Sequence, residues 1–352
     1  MAQTQGKKVA LVAGATGIVG SQLIKTLREQ QWQVIGLTRQ PAAHSDDIPL
    51  INANLLDAQQ SAHALAPLNQ VTHIFYSAWL NAASWREMVE PNVTMLRNLV
   101  SNMENIAPLR SVSLMQGYKV YGAHLGPFKT PARESDAGVA GAEFNAEQLR
   151  WLSDFQRGKS WHWHALRPGV VGSPVPGNAM NLALSIAIYA SLCKSQRLPL
   201  RFPGSLQTWH SMVDHTDAEL LAQATLWAAD APAAHNQAFN VNNGDLWRWS
   251  ELWPAIARWF ELETAPAVKL SFHQLFHDYR DLWRRIAEQH QLSEPDILRL
   301  NDGHFADFVF SWDYDMFGDG SKLRRAGFTA FQATDEMFFS LFAQLRAARI
   351  IP

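Results

Sequence analysis

Glycine stands at every third position of Gly14-Ala15-Thr16-Gly17-Ile18-Val19-Gly20. The segment lies between an apolar run, Lys8 to Ala13, and a stretch with Val19, Leu23 and Leu27 at four-residue spacing. That context is strand, turn, helix. The first glycine permits a tight turn, the second lets a pyrophosphate approach the backbone, and the third lets helix pack against strand. The free N–H groups of the helix start, Thr16 to Val19, face the phosphates. The chemistry is dinucleotide binding. Where NAD-selective sites end the second strand with a carboxylate for the ribose 2′-hydroxyl, this strand ends Leu37-Thr38-Arg39. An arginine there pairs with a 2′-phosphate, which favours NADP(H). Asn54 and Leu55, after the third strand, are expected to reach the adenine. Ser77, Ala78 and Trp79, after the fourth, are expected to line the ribose and nicotinamide side, and Gln116, Val171 and Ser173 complete the expected cofactor set.

The elements that position these residues follow from periodicity. Strands are expected at Gln33–Thr38, Ile48–Ala53, Thr72–Ala78, Ser111–Met115 and Trp161–Leu166, with Val93, Leu96, Leu99, Val100 and Met103 marking a helix between the fourth and fifth. The alternation predicts an α/β fold: a Rossmann-type doubly wound parallel sheet with a smaller, mainly helical C-terminal substrate lobe. Residues 1–170, joined by about 205–245, are assigned to the NADP-binding domain, and 171–204 with 246–352 to the substrate lobe. Gly122 to Phe144, rich in Gly, Pro and Ala, reads as a loop over the ligand edge of the sheet. An apolar helix is expected over Met180–Cys193. A further helix opens with a Thr216/Glu219 capping box, Phe239-Asn240-Val241 is a strand, and Ser250 caps another helix.

Composition narrows the function classes. Hydrophobic residues make up 47% and charged residues 18% of the 352, which is globular, and the formal charge of -2 supplies no field for nucleic acid or an anionic membrane. Leu182 to Cys193 is the most apolar stretch and is too short to span a bilayer. Met1 to Lys8 lacks the order of a signal peptide, and the single cysteine, Cys193, excludes an intrachain disulfide, so a cytoplasmic protein is expected. Thirteen histidines suggest metal, yet His162 and His164 alternate with tryptophans on a strand and no HExxH or Cys/His spacing occurs; no metal site is expected. The fourteen tryptophans read mainly as core.

The GATGIVG loop, Asn92-Val-Thr-Met-Leu96 and Tyr118-Lys-Val-Tyr-Gly122 together resemble the extended short-chain dehydrogenase/reductases. Met115–Lys119, Leu125–Asp136, Arg167–Pro174, Cys193–Gly204, Ala326-Gly327-Phe328 and the closing Ile351-Pro352 are similar, more narrowly, to the progesterone 5β-reductase and iridoid synthase-like (PRISE) family. This resemblance implies NADPH-dependent reduction of an α,β-unsaturated carbonyl compound, with Lys119 stabilising the enolate oxygen. It also implies a tyrosine opening the next helix, in an Asn-Phe-Tyr-Tyr segment. Here that segment reads Glu143-Phe144-Asn145-Ala146, so Asn145 takes the tyrosine position, and no tyrosine precedes a lysine by four residues anywhere. Three readings stay open: Asn145 donates an amide N–H to the substrate oxygen; Tyr118 or Tyr121 moves into the role; or the chain is a catalytically silent NADP(H)-binding sensor or scaffold. A nucleotide-sugar epimerase or dehydratase is disfavoured, because those reactions abstract a hydroxyl proton. Trp79, Phe144, Met180, Tyr189, Trp209 and Met212 are expected to form the pocket for a small lipophilic carbonyl substrate. The sequence leaves the oligomeric state open, with a homodimer through helices beside the sheet as the form that fold relatives often take.

Overall fold

The structure is a computed structural model that describes residues 7–39, 48–136, 138–139 and 143–352. The reading of the first residues as no signal peptide falls mostly outside this range, as does part of the expected loop before Phe144. Seven parallel strands form the sheet: β1 (Val9–Ala13), β2 (Gln33–Thr38), β3 (Leu50–Asn52), β4 (His73–Tyr76), β5 (Ser111–Met115), β6 (His162–Pro168) and β7 (Gln237–Val241), in the order β7-β6-β5-β4-β1-β2-β3. Every residue of β1 and β4 is buried, as expected of strands covered on both faces. The order reverses between β1 and β4, which opens a crevice at the carboxyl ends of those two strands.

Helices α1 (Ile18–Glu29), α2 (Ala58–Leu65), α3 (Val89–Ile106), α4 (Phe144–Gln156), α5 (Leu182–Ser195) and α6 (Ala218–Asp230) follow in chain order. The apolar stripe of α3, Met95 to Met103, packs with Leu11, Ile74 and Leu114 on one face of the sheet. Leu23 and Leu27 of α1 meet Ala222 and Leu226 of α6 on the other. The helix α5 is buried along nearly its whole length and centres a separate aromatic core with Phe202, Trp253, Phe272, Trp283 and Phe342.

Two cap assignments need correction. Asp217, not Thr216, caps α6 by accepting from the Glu219 and Leu220 N–H groups, because the Thr216 hydroxyl is spent on Val241 O at 2.8 Å and the Gly169 N–H at 3.0 Å. The helix expected after Ser250 starts two residues earlier, at Trp249, with Arg248 at its cap position. The strands at 50–52 and 73–76 are shorter than their apolar runs, and β6 continues through Pro168.

Burial of imidazoles makes this fold acid-sensitive. Desolvation pushes His73 down to about 4, His164 to about 3 and His215 to about 4, from the usual 6.5. Each is held neutral when folded but takes a proton when unfolded below pH 6.5, so its contribution is complete above that pH and is lost as pH falls toward 4. Asp214, pushed up to about 7 by burial, works in the opposite direction. His124, held down to about 4 as well, adds to the imidazole side, and the net effect is a loss of stability as pH falls below 6.5. The urea midpoint is expected to fall steeply between pH 6.5 and 4.5. A flat midpoint over that range would exclude this account.

Candidate active site

The glycine loop meets the requirements of a phosphate cradle. Gly14 has φ +83°, and a Cβ there would sit 2.9 Å from the Ser77 and Ala78 backbone. A Cβ on Gly20 would lie 2.1 Å from Gly14 O, so the third glycine is what allows α1 to rest on β1. At Gly17 a Cβ would meet only Gly14 O, at 3.4 Å, which leaves that face of the backbone open. The N-terminus of α1 has no side-chain cap and no acidic residue in its first turn. Unpaired N–H groups at the positive end of a helix dipole, beside an approachable backbone, fit a pyrophosphate.

This loop opens into a cleft of about 460 Å³ lined by Gly14, Thr16, Gly17, Ile18, Val19, Gly20, Thr38, Arg39, Leu55, Ser77, Ala78 and Trp79. Arg39 is exposed at its rim, and the Ser77 hydroxyl donates to Ala13 O at 2.9 Å, pinning the ends of β1 and β4 together. Asn54 is not in the lining; its Oδ1 accepts the Leu56 N–H at 3.2 Å in the turn before α2. Ser173 is fully buried away from the cleft, with its Oγ accepting from Val175 N.

A second cavity, of about 210 Å³, adjoins the first and shares Ile18, Val19, Ser77, Ala78, Trp79 and Met180 with it. Gln116, Tyr118, Lys119, Phe144, Asn145 and Val171 line it, so the ends of β5, α4 and the segment after β6 converge there. Of the expected pocket residues, Trp79, Phe144 and Met180 take part. Tyr189, Trp209 and Met212 do not. Tyr189 packs on Phe272 and bonds Arg201 O, Trp209 packs edge-on against Phe202, and Met212 lies in a short antiparallel pairing with Arg248. The far wall is formed instead by Phe305, Phe308, Trp312 and Met316, which sequence reasoning missed. The only available signal was the three-residue spacing of Phe305 and Phe308 in the helix His304–Phe310.

Lys119 is the one lysine or arginine among the described residues that line this cavity. Its Nζ lies 4.5 Å from the Trp85 ring centre and 5.8 Å from that of Trp79. Burial pushes the ammonium below the usual lysine range, and the nearby Glu143 carboxylate pulls it part of the way back. Its charge in turn adds to the desolvation that holds His124 down to about 4.

Asn145 stands in the first turn of α4, 4% exposed. Its Nδ2 donates to Glu143 Oε1 at 2.8 Å, while the other oxygen of Glu143 caps the helix through the Ala146 N–H at 3.0 Å. Neither flanking tyrosine is free. The Tyr118 hydroxyl donates to Asp214 Oδ2 at 2.7 Å, and burial followed by that carboxylate holds it well above the usual phenol range. Tyr121 donates to Asn240 Oδ1 and accepts from Arg167, away from the cavity.

Parallel order, switch-point cleft and carboxyl-edge cavity define an extended short-chain dehydrogenase/reductase fold. A short-chain dehydrogenase/reductase superfamily protein from Agrobacterium tumefaciens, solved with bound NAD, superposes with a TM-score of 0.67 at 16% identity, covering 96% of this chain and 97% of that one. The family description "PRISE-like Rossmann-fold domain" matches residues 50–352. A 3-oxo-Δ(4,5)-steroid 5β-reductase from Arabidopsis thaliana is 31% identical, and an (S)-8-oxocitronellyl enol synthase from Nepeta racemosa 32%, each match covering 98% of this chain and 94% of the relative. The chain belongs to the PRISE family. Among the described residues no helix is long and apolar enough to cross a membrane, and no group of His, Cys, Asp or Glu is arranged to hold a metal ion.

Proposed function

We propose that this protein is an NADPH-dependent reductase of small lipophilic α,β-unsaturated carbonyl compounds. One observation carries the reading: a single ammonium, Lys119, stands in an apolar cavity whose wall is shared with the dinucleotide cleft. When bound, NADPH supplies the hydride for the β-carbon. Lys119 then faces the negative charge that develops on the carbonyl oxygen, in surroundings dry enough for that attraction to count. Asn145 occupies the place of the usual tyrosine but releases no proton, so the α-carbon takes its proton from solvent. Trp79, Phe144 and Met180 with the wall from 305 to 316 bury the hydrocarbon part of the substrate. Arg39 holds the 2′-phosphate. The cytosol is the compartment this reading favours, and pairing through α3 and α4 is its expected dimer.

The test is enone-dependent oxidation of the reduced cofactor, followed at the nicotinamide absorbance. NADPH is expected to be preferred over NADH, and Arg39→Ala is expected to weaken NADPH roughly tenfold or more while leaving NADH unchanged. No cofactor oxidation across a broad enone panel would overturn the reductase reading. Equal loss for both cofactors would overturn the role of Arg39.

A further inference from the structure

The polar groups that line the substrate cavity are oriented by what stands behind them. Asn145 and Gln148 lie one turn apart on α4, 4% and 1% exposed, and both reach the cavity. Asn145 Nδ2 donates to Glu143 Oε1, and Gln148 Nε2 donates to Asn92 O at 2.9 Å. An ionised carboxylate and a peptide carbonyl only accept hydrogen bonds, so neither carboxamide can be turned over without setting oxygen against oxygen. Gln116 is satisfied on both sides, donating to Asn145 O at 2.6 Å and accepting from Arg167 Nε at 2.9 Å. The Oδ1 of Asn145 and the Oε1 of Gln148, in contrast, receive no donor from the described residues. Neither is among the sealed polar atoms that lack a partner, and both residues belong to the cavity wall.

We propose that this cavity selects unsaturated carbonyl compounds bearing a hydroxyl, whose one hydrogen is shared in a three-centre bond between the Asn145 and Gln148 side-chain oxygens while the carbonyl lies at Lys119. This rests on the reductase reading above. A plain enone offers an acceptor to Lys119 and strips water from two acceptors without replacing it. A hydroxylated one supplies the missing donor. Sites built to bond a hydroxyl discriminate strongly against the analogue without it, because a buried polar group is then left unpaired. Glu143 is a positioning residue here, since it holds Asn145 with the oxygen turned inward.

The experiment compares 2-cyclohexen-1-one with its monohydroxylated derivatives, differing only in the ring position of the hydroxyl, as substrates with NADPH. At least one derivative is expected to exceed the parent in kcat/KM by roughly 10- to 100-fold. In Gln148→Leu that ratio is expected to collapse toward one with the parent enone still reduced, and in Glu143→Gln, whose amide lets Asn145 turn over, it is expected to fall partway. A set in which no derivative exceeds the parent overturns the proposal while leaving the reductase reading intact. If none of the set oxidises NADPH, turnover of this ring scaffold is absent and the comparison passes to binding. Ligand-observed NMR with cyclohexanone and the hydroxycyclohexanones on the NADP+-loaded protein then decides the inference, with equal binding overturning it. The same binding comparison serves if Gln148→Leu does not fold.

Discussion

Lys119→Met is expected to lower kcat/KM for enone reduction by about 10²- to 10³-fold, the usual cost of removing one oxyanion partner. Methionine keeps an unbranched apolar stem of nearly the same length, so the loss chiefly reports the charge. The thermal midpoint is expected to stay close to that of the unsubstituted protein, because the ammonium is poorly solvated and has no ion-pair partner within 4 Å among the described residues. The pH profile provides a second measurement. Since burial lowers the ammonium's proton affinity, activity should decline on the alkaline side below the ordinary lysine range, and that limb should vanish in Lys119→Met. An unchanged rate would remove Lys119 from the mechanism.

The two inner glycines of the phosphate loop should separate packing from ligand binding. In Gly20→Val the new side chain starts 2.1 Å from Gly14 O and 2.8 Å from Gly14 C, both backbone atoms that cannot swing aside. The helix must lift from the sheet, with an expected cost of about 3 kcal/mol or more in folding and complete loss of NADP+ binding. In Gly17→Ala the methyl meets only one carbonyl oxygen at 3.4 Å, so the thermal midpoint should hold. The same methyl projects where a phosphate approaches, and NADP+ affinity should fall more than tenfold by calorimetry. Tight binding by Gly17→Ala would show that the pyrophosphate does not lie against this backbone.

The half of the site closest to the N-terminus was legible in the sequence because its signal is local. Gly14, Gly17 and Gly20 work through their neighbours on a single strand, turn and helix, and β2 and β5 follow from runs of five or six residues. The other half depends on contacts across more than a hundred residues. Tyr189 and Trp209 have the composition of pocket residues, but an aromatic ring reads the same whether it borders a cavity or fills a core, and here Phe272 and Phe202 claim them. Phe305, Phe308, Trp312 and Met316 belong to a helix and loop whose periodicity shows one apolar face but not what that face covers. Asn54 and Ser173 were placed by strand position, and short polar side chains at such positions are drawn into local turns. The expectation of a tyrosine where this chain has Asn145 came from the family resemblance alone. Only the coordinates show that Tyr118 is held by Asp214 and that Glu143 has taken up Asn145.

The Oδ2 atom of Asp214 receives the Tyr118 hydroxyl, the Gly318 N–H at 2.9 Å and the Asn242 amide at 3.4 Å. One carboxylate thereby joins the loop that carries Lys119 to the segment that carries Trp312 and Met316. The two share an anchor but no sequence. Met316 also exchanges backbone bonds with Met212 and Asp214, and the Tyr314 hydroxyl donates to Ala123 O at 2.7 Å, so any change in the shape of the 305–316 wall has to leave residues 314–318 where they are.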